Sequence, residues 1–216
     1  MRSGSQPVRI PSGSVELDGD LFPPAPARGV VVFAHGSGSG RKSPRNRTVS
    51  DALLRRGFGT LLLDLLERRE AQLDERTGQY RFDIPRLTER LLAATDWLSE
   101  RPGGDALPIG YFGASTGGAV ALRAAAERPR VVRAAVLRGA RSDLADAEAP
   151  RVRCATLILV GSLDEDIRKL NERTMSRLPG VKELVVVEGA SHLFEEPGTL
   201  EEVAERSVDW FARHLA

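Results

Sequence analysis

Val30-Val31-Val32-Phe33-Ala34 is an unbroken run of apolar side chains. A strand with one wet face alternates polar and apolar residues; a continuous run belongs to a strand buried on both faces, as in a parallel sheet covered by helices. Further strands are read at residues 59–66, 109–112, 131–137, 156–160 and 184–187. Between these runs the period changes. Leu87, Leu91, Ala94 and Leu98 recur at helical spacing and share one face. Residues 48–56 read as a helix closed by Gly57, and residues 118–127 as a helix of small residues. Leu200, Val203, Ala204, Val208, Phe211 and Leu215 form the stripe of a last helix, with Thr199 and Glu202 placed for a capping box. Upstream of the first run, residues 8–10 and 15–17 flank Pro11-Ser12-Gly13-Ser14 and read as an antiparallel hairpin, followed by a proline-rich connector at 23–26. Strand and helix therefore alternate behind an N-terminal hairpin. The expectation is an α/β fold: a three-layer α/β/α sandwich on a mostly parallel, twisted sheet with right-handed crossovers.

Composition removes several function classes. With 31 Lys+Arg against 30 Asp+Glu, the net charge of +1 gives no basic field for nucleic acid or a membrane surface. Apolar runs stop at about six residues, far short of the ~20 that span a bilayer. Residues 1–7 carry no hydrophobic signal region. One cysteine, Cys154, excludes an internal disulfide and two-cysteine metal motifs, and its place just before a strand suits packing. A cytoplasmic protein of one domain, residues 1–216, without nucleic-acid or membrane partners, is the expectation.

In open sheets of this kind, chemistry sits beyond the carboxyl ends of the strands. Three such ends carry reactive groups. Gly113-Ala114-Ser115-Thr116-Gly117 follows a strand and precedes a helix, the setting that holds a serine hydroxyl clear of the sheet on a tight, strained turn. The helix after it points a positive N-terminus at the site. Gly161-Ser162-Leu163-Asp164-Glu165-Asp166 follows the run at 156–160 and offers a carboxylate to orient a histidine. Asp164 is the choice because it lies three residues past the turn glycine; Asp166 is the reserve. Gly189-Ala190-Ser191-His192 follows the run at 184–187. Of three histidines, His214 sits near the chain end and His35 ends a buried strand, where hydrogen bonding within its loop suits it. His192 alone sits on a late loop. The chain order Ser115, Asp164, His192 is that of an acyl-transfer triad.

His35-Gly36-Ser37-Gly38-Ser39-Gly40 adds backbone N–H groups at a fourth strand end. The N–H groups of Ser37 and Thr116 are the candidate oxyanion donors, with Gly38 in place of Ser37 as the alternative. The loop lacks the endings of nucleotide-binding motifs. Arg41, Arg138 and Arg141 stand near the mouth, where a guanidinium can pair with a substrate carboxylate; ordinary surface charge is the competing reading. The polar stretch 67–80 reads as a mobile loop over the site or as plain surface.

These pieces together resemble the α/β-hydrolase superfamily from about Val30 to Leu215, and within it the small, lidless dienelactone-hydrolase-like group. His35-Gly36, Gly-Ala-Ser115-Thr-Gly, Gly-Ser-Leu-Asp164 and Gly-Ala-Ser-His192-Leu-Phe carry the likeness. The resemblance implies Ser115 as nucleophile, His192 as general base and acid, and Asp164 as its orienting acid. Dienelactone hydrolase proper uses cysteine as nucleophile, so the serine here points to general carboxylic-ester hydrolysis of a small-molecule ester, with no metal or organic cofactor. Only residues 139–153 separate two strands where relatives insert a cap, so an open site for small or short-acyl esters is expected. Three other readings share these residues: a C–C or amide hydrolase, a cofactor-free perhydrolase or haloperoxidase-like enzyme, and a catalytically silent ligand-binding domain.

Overall fold

The strands form where the apolar runs lie. In a computed structural model describing residues 4–23, 28–101 and 107–215, the hairpin is β1 (Gln6–Ser12) and β2 (Val15–Phe22). The connector read at 23–26 falls, from residue 24 onward, outside the described residues. The remaining strands are β3 (Val30–Ala34), β4 (Gly59–Leu63), β5 (Ile109–Ala114), β6 (Val132–Arg138), β7 (Ala155–Gly161) and β8 (Lys182–Val187), the last being an edge strand in which only Val187 is buried. Among the described residues they form one sheet in the order β1-β2-β4-β3-β5-β6-β7-β8. β1 pairs antiparallel with β2, and β2 with β4; every later neighbour is parallel.

Side-chain alternation along β3 divides the core. Val30, Val32 and Ala34 join the layer that packs under α3 (Ile84–Ser99) and α4 (Thr116–Glu127). Val31 and Phe33 join the opposite layer, under α1 (Pro44–Arg55) and α6 (Thr199–His214). All five β3 side chains are buried, which is why the run shows no polar break. Burial of each large aliphatic side chain contributes about 1.5–3 kcal/mol. The expected face of α3 is buried at Leu87, Leu91, Ala94 and Leu98, and that of α6 at Val203, Ala204, Val208 and Phe211.

Two local expectations are corrected. The Thr199–Glu202 capping box does not form: Gly198 caps α6 in the left-handed region, and the Thr199 hydroxyl donates to the Glu196 carbonyl instead. Residues 67–80 are not loop but contain α2 (Arg68–Thr77), which starts with a capping box between Glu67 and Glu70. α5 (Glu165–Arg177) completes the helices, with Asp164 at its N-cap. Only two short 3-10 turns, Ser142–Ala145 and Ala149–Arg151, lie between β6 and β7, so no cap covers the carboxyl edge there. No helix among the described residues is long and apolar enough to cross a membrane.

Candidate active site

Ser115 joins β5 to α4 with φ 52° and ψ −119°, a conformation that costs a non-glycine residue about 1–3 kcal/mol. Crowding fixes this turn. A Cβ on Gly113 would lie 2.5 Å from the Gly117 carbonyl oxygen, and one on Gly117 would lie 2.1 Å from that of Ala34. Both positions therefore exclude any side chain. The Ser115 N–H donates to the Arg138 carbonyl at 3.0 Å, and its own carbonyl accepts from Gly118 and Arg141. The hydroxyl is left half-buried at the N-terminus of α4.

His192 lies on the loop between β8 and α6, brought over β6 so closely that a Cβ on Gly139 would touch its imidazole at 3.4 Å. Nδ1 lies 2.6 Å from Asp164 Oδ2, and Nε2 lies 3.2 Å from Ser115 Oγ. A carboxylate only accepts, so Nδ1 carries the proton and Nε2 is free to accept from the hydroxyl. Asp166 instead sits exposed in the first turn of α5. The loop is held from below by Glu196, whose Oε2 accepts the Ser191 N–H at 3.0 Å; that bond keeps the Glu196 carboxyl below its usual range.

His35 takes no part in this line. Its Nδ1 donates to the Gly36 carbonyl at 2.9 Å and its Nε2 accepts the Leu65 N–H at 3.0 Å. Burial lowers its pKa, so the ring is a neutral brace of the β3 loop. His214 is half-buried, its ring 4.3 Å from that of Trp210 and tilted against it. Burial pushes the Cys154 thiol up to about 11, and it stands before β7 at the opposite edge of the sheet.

Beside Ser115, the β3 loop and α4 meet through hydroxyls. Thr116 Oγ1 lies 3.0 Å from Ser37 Oγ, which is 3.3 Å from the Arg81 carbonyl. Since a carbonyl only accepts, Ser37 donates to Arg81 and Thr116 donates to Ser37. Among the described residues, the backbone N–H groups of Ser37 and Thr116 have no hydrogen-bond partner.

A cavity of about 340 Å³ opens here, walled by Gly36, Ser37 and Thr116 on one side and by Leu66, Ala71 and Arg81 on the other. Ser115 and His192 do not line it; it begins one residue away. Arg41 reaches the cavity, but its guanidinium is taken by Asp64 and lies 3.6 Å from Asp20 and 3.9 Å from Asp18. Arg141 pairs with Asp143 through two bonds of 2.9 Å and does not line the cavity. Arg138 is buried rather than at the mouth.

The sequence reading missed the wall that α2 supplies. Asp74 on that helix accepts from the N–H groups of Tyr80 and Arg81 and from Arg81 Nε, closing the segment back on itself. The signal was Glu67 three residues before Glu70, which is hard to read because the usual capping box begins with serine or threonine.

The dienelactone hydrolase family model matches residues 18–215. The chain belongs to the dienelactone hydrolase family. Within that frame it is similar to a crystal structure of dienelactone hydrolase from Anabaena variabilis, with 48% identity, TM-score 0.98 and full coverage of both chains. It resembles an esterase of Pyrococcus furiosus in fold, at TM-score 0.78 and 19% identity, covering 98% of this chain and 92% of that one. A Mycobacterium tuberculosis protein that carries the provisional name of a phosphoribosyl transferase is 51% identical over 96% of this chain. The chain spans only 46% of that relative's length. The fold is that of the α/β hydrolases, without a cap.

Proposed function

We propose that this protein is a serine hydrolase that cleaves carboxylic esters with small, uncharged acyl groups. The observation that carries the reading is the line Asp164–His192–Ser115, with contacts of 2.6 and 3.2 Å. Ser115 Oγ attacks the ester carbonyl while His192 Nε2 takes its proton. Asp164 keeps the ring in the right tautomer and stabilises the imidazolium. The tetrahedral oxyanion accepts from the N–H groups of Ser37 and Thr116, which have no other partner to give up and sit at the positive end of α4. His192 then protonates the leaving alcohol, the acyl group stays on Ser115, and a water deprotonated by His192 releases it.

Charge and openness narrow the substrate. Arg41 and Arg141 are each engaged by carboxylates, and acidic side chains outnumber guanidinium groups along the cavity. Such a wall repels an anionic acyl group and accepts a neutral one. Without a cap, a long alkyl chain finds no apolar tunnel, and its burial contributes little to transition-state binding. The activity in the mycobacterial relative's name belongs to a protein about twice this length, whereas the site geometry here favours acyl transfer.

A p-nitrophenyl ester series tests this. The wild type should give its highest kcat/KM on acetate to butyrate and lose about tenfold or more by the eight-carbon ester. Ser115→Ala should fall to the uncatalysed background. A rate that climbs with chain length, or activity that survives in Ser115→Ala, contradicts the reading.

A further inference from the structure

Arg138, the last residue of β6, touches both halves of the site through different groups. Its carbonyl accepts the Ser115 N–H at 3.0 Å. Its Nη1 donates at 3.3 Å to the carbonyl of Leu193, the residue after His192. The guanidinium carbon lies 5.5 Å from the centre of the Phe194 ring. Phe194 holds φ at 55°, and among the described residues only it and Ser115 are non-glycine positions with positive φ. The two strained positions therefore meet on one arginine.

The setting of that arginine is costly. Arg138 is 6% exposed, and no carboxylate lies within ion-pairing distance of it among the described residues. Its buried Nε has no hydrogen-bond partner. The charged group acting on it is another cation, Arg45, which itself pairs with Glu195 at 3.1 Å. Burial, helped by Arg45, brings its pKa down to about 10. A buried charge without a counterion opposes folding, and an apolar side chain of similar length packs at such a place without that penalty.

We propose that Arg138 is a positioning residue: it locks the His192 loop to the nucleophile turn and so sets the approach of His192 Nε2 to Ser115 Oγ. Pulling on the Leu193 carbonyl and covering the Phe194 ring hold that backbone in its left-handed bend, while the same residue's carbonyl holds the serine turn. The inference rests on the hydrolytic reading of Ser115 and His192, but its test has a readout that needs no substrate.

The chain has three histidines, so ¹⁵N-histidine NMR can follow the His192 ring directly. In Arg138→Met the His192 Nδ1–H resonance should broaden or move while those of His35 and His214 stay in place, and Tm should be unchanged or higher. On p-nitrophenyl acetate, kcat should fall by about 100-fold while KM changes by less than about threefold, the pattern of lost positioning. Arg138→Lys, which can still reach the Leu193 carbonyl, should recover most of the signal and the rate. A wild-type His192 resonance in Arg138→Met overturns the proposal, as does a lowered Tm with all three histidines perturbed, the mark of a purely structural role. Absence of ester hydrolysis in the wild type removes the proposed reaction, while the NMR comparison still decides the part played by Arg138.

Discussion

Asp164 and Asp166 stand two residues apart on one loop, and the backbone decides between them. Asp164 ends a tight turn in which its N–H donates to the Gly161 carbonyl at 3.1 Å, and this sends its side chain back to His192. Asp166 is already in helix and faces solvent. Asp164→Asn should therefore lower kcat by about 10³–10⁴-fold, because the amide favours the wrong imidazole tautomer. Asp166→Asn should stay within about threefold of wild type, as expected of an exposed charge with no bond to His192. Steady-state kinetics on a short p-nitrophenyl ester separates the two, and the opposite ranking assigns the orienting role to Asp166. Ser115 and His192 were readable from the sequence because glycine-bounded turns announce where a chain leaves a strand. The fate of the arginines was not. Arg41 meets Asp18, Asp20 and Asp64 only once β2, β4 and the β3 loop are side by side, and no local pattern encodes that meeting.

At the scale of elements, α2 is the instructive case. Its sequence is almost wholly polar, so hydrophobic periodicity is silent, and the helix rests on end contacts instead. Asp74 is the principal one. Burial pushes its carboxyl up, but the N–H groups of Tyr80 and Arg81 and the Arg81 guanidinium outweigh burial and leave it below the usual range. Asp74→Ala strands those donors and should cost about 2–3 kcal/mol at neutral pH. Because the folded-state pKa lies below the unfolded one, this contribution is complete above about pH 4 and fades as the pH falls through the lower folded value. Urea unfolding at pH 7 and pH 3 should thus show a large gap between Asp74→Ala and wild type that narrows in acid. A gap independent of pH contradicts the charge-based clamp. The central strand β3, by contrast, was legible because all five of its side chains are apolar and buried, which leaves no polar position to confuse the pattern. The start of α6 was not, since Gly198 and Thr199 compete for the cap and only the backbone path settles which one takes it.

The whole molecule arranges these pieces by one rule. Parallel strands point their carboxyl ends the same way, so β3, β5, β7 and β8 each deliver a loop to one edge: Ser37, Ser115, Asp164 and His192. Residues separated by 77 positions, Ser115 and His192, come within 3.2 Å because both follow parallel strands of one sheet. The α/β class and its antiparallel hairpin were readable from strand–helix alternation; the insertion of β4 between β2 and β3 was not, because strand order depends on how crossovers pack. The short link between β6 and β7 leaves the edge uncovered there. The central claim is that this edge carries a working nucleophile, and intact-mass analysis after treatment with a fluorophosphonate tests it most directly. The account predicts one covalent adduct, mapping to Ser115, absent in Ser115→Ala and formed at least about 100-fold more slowly in His192→Ala. No adduct on the folded wild type, or an adduct on another residue, contradicts it.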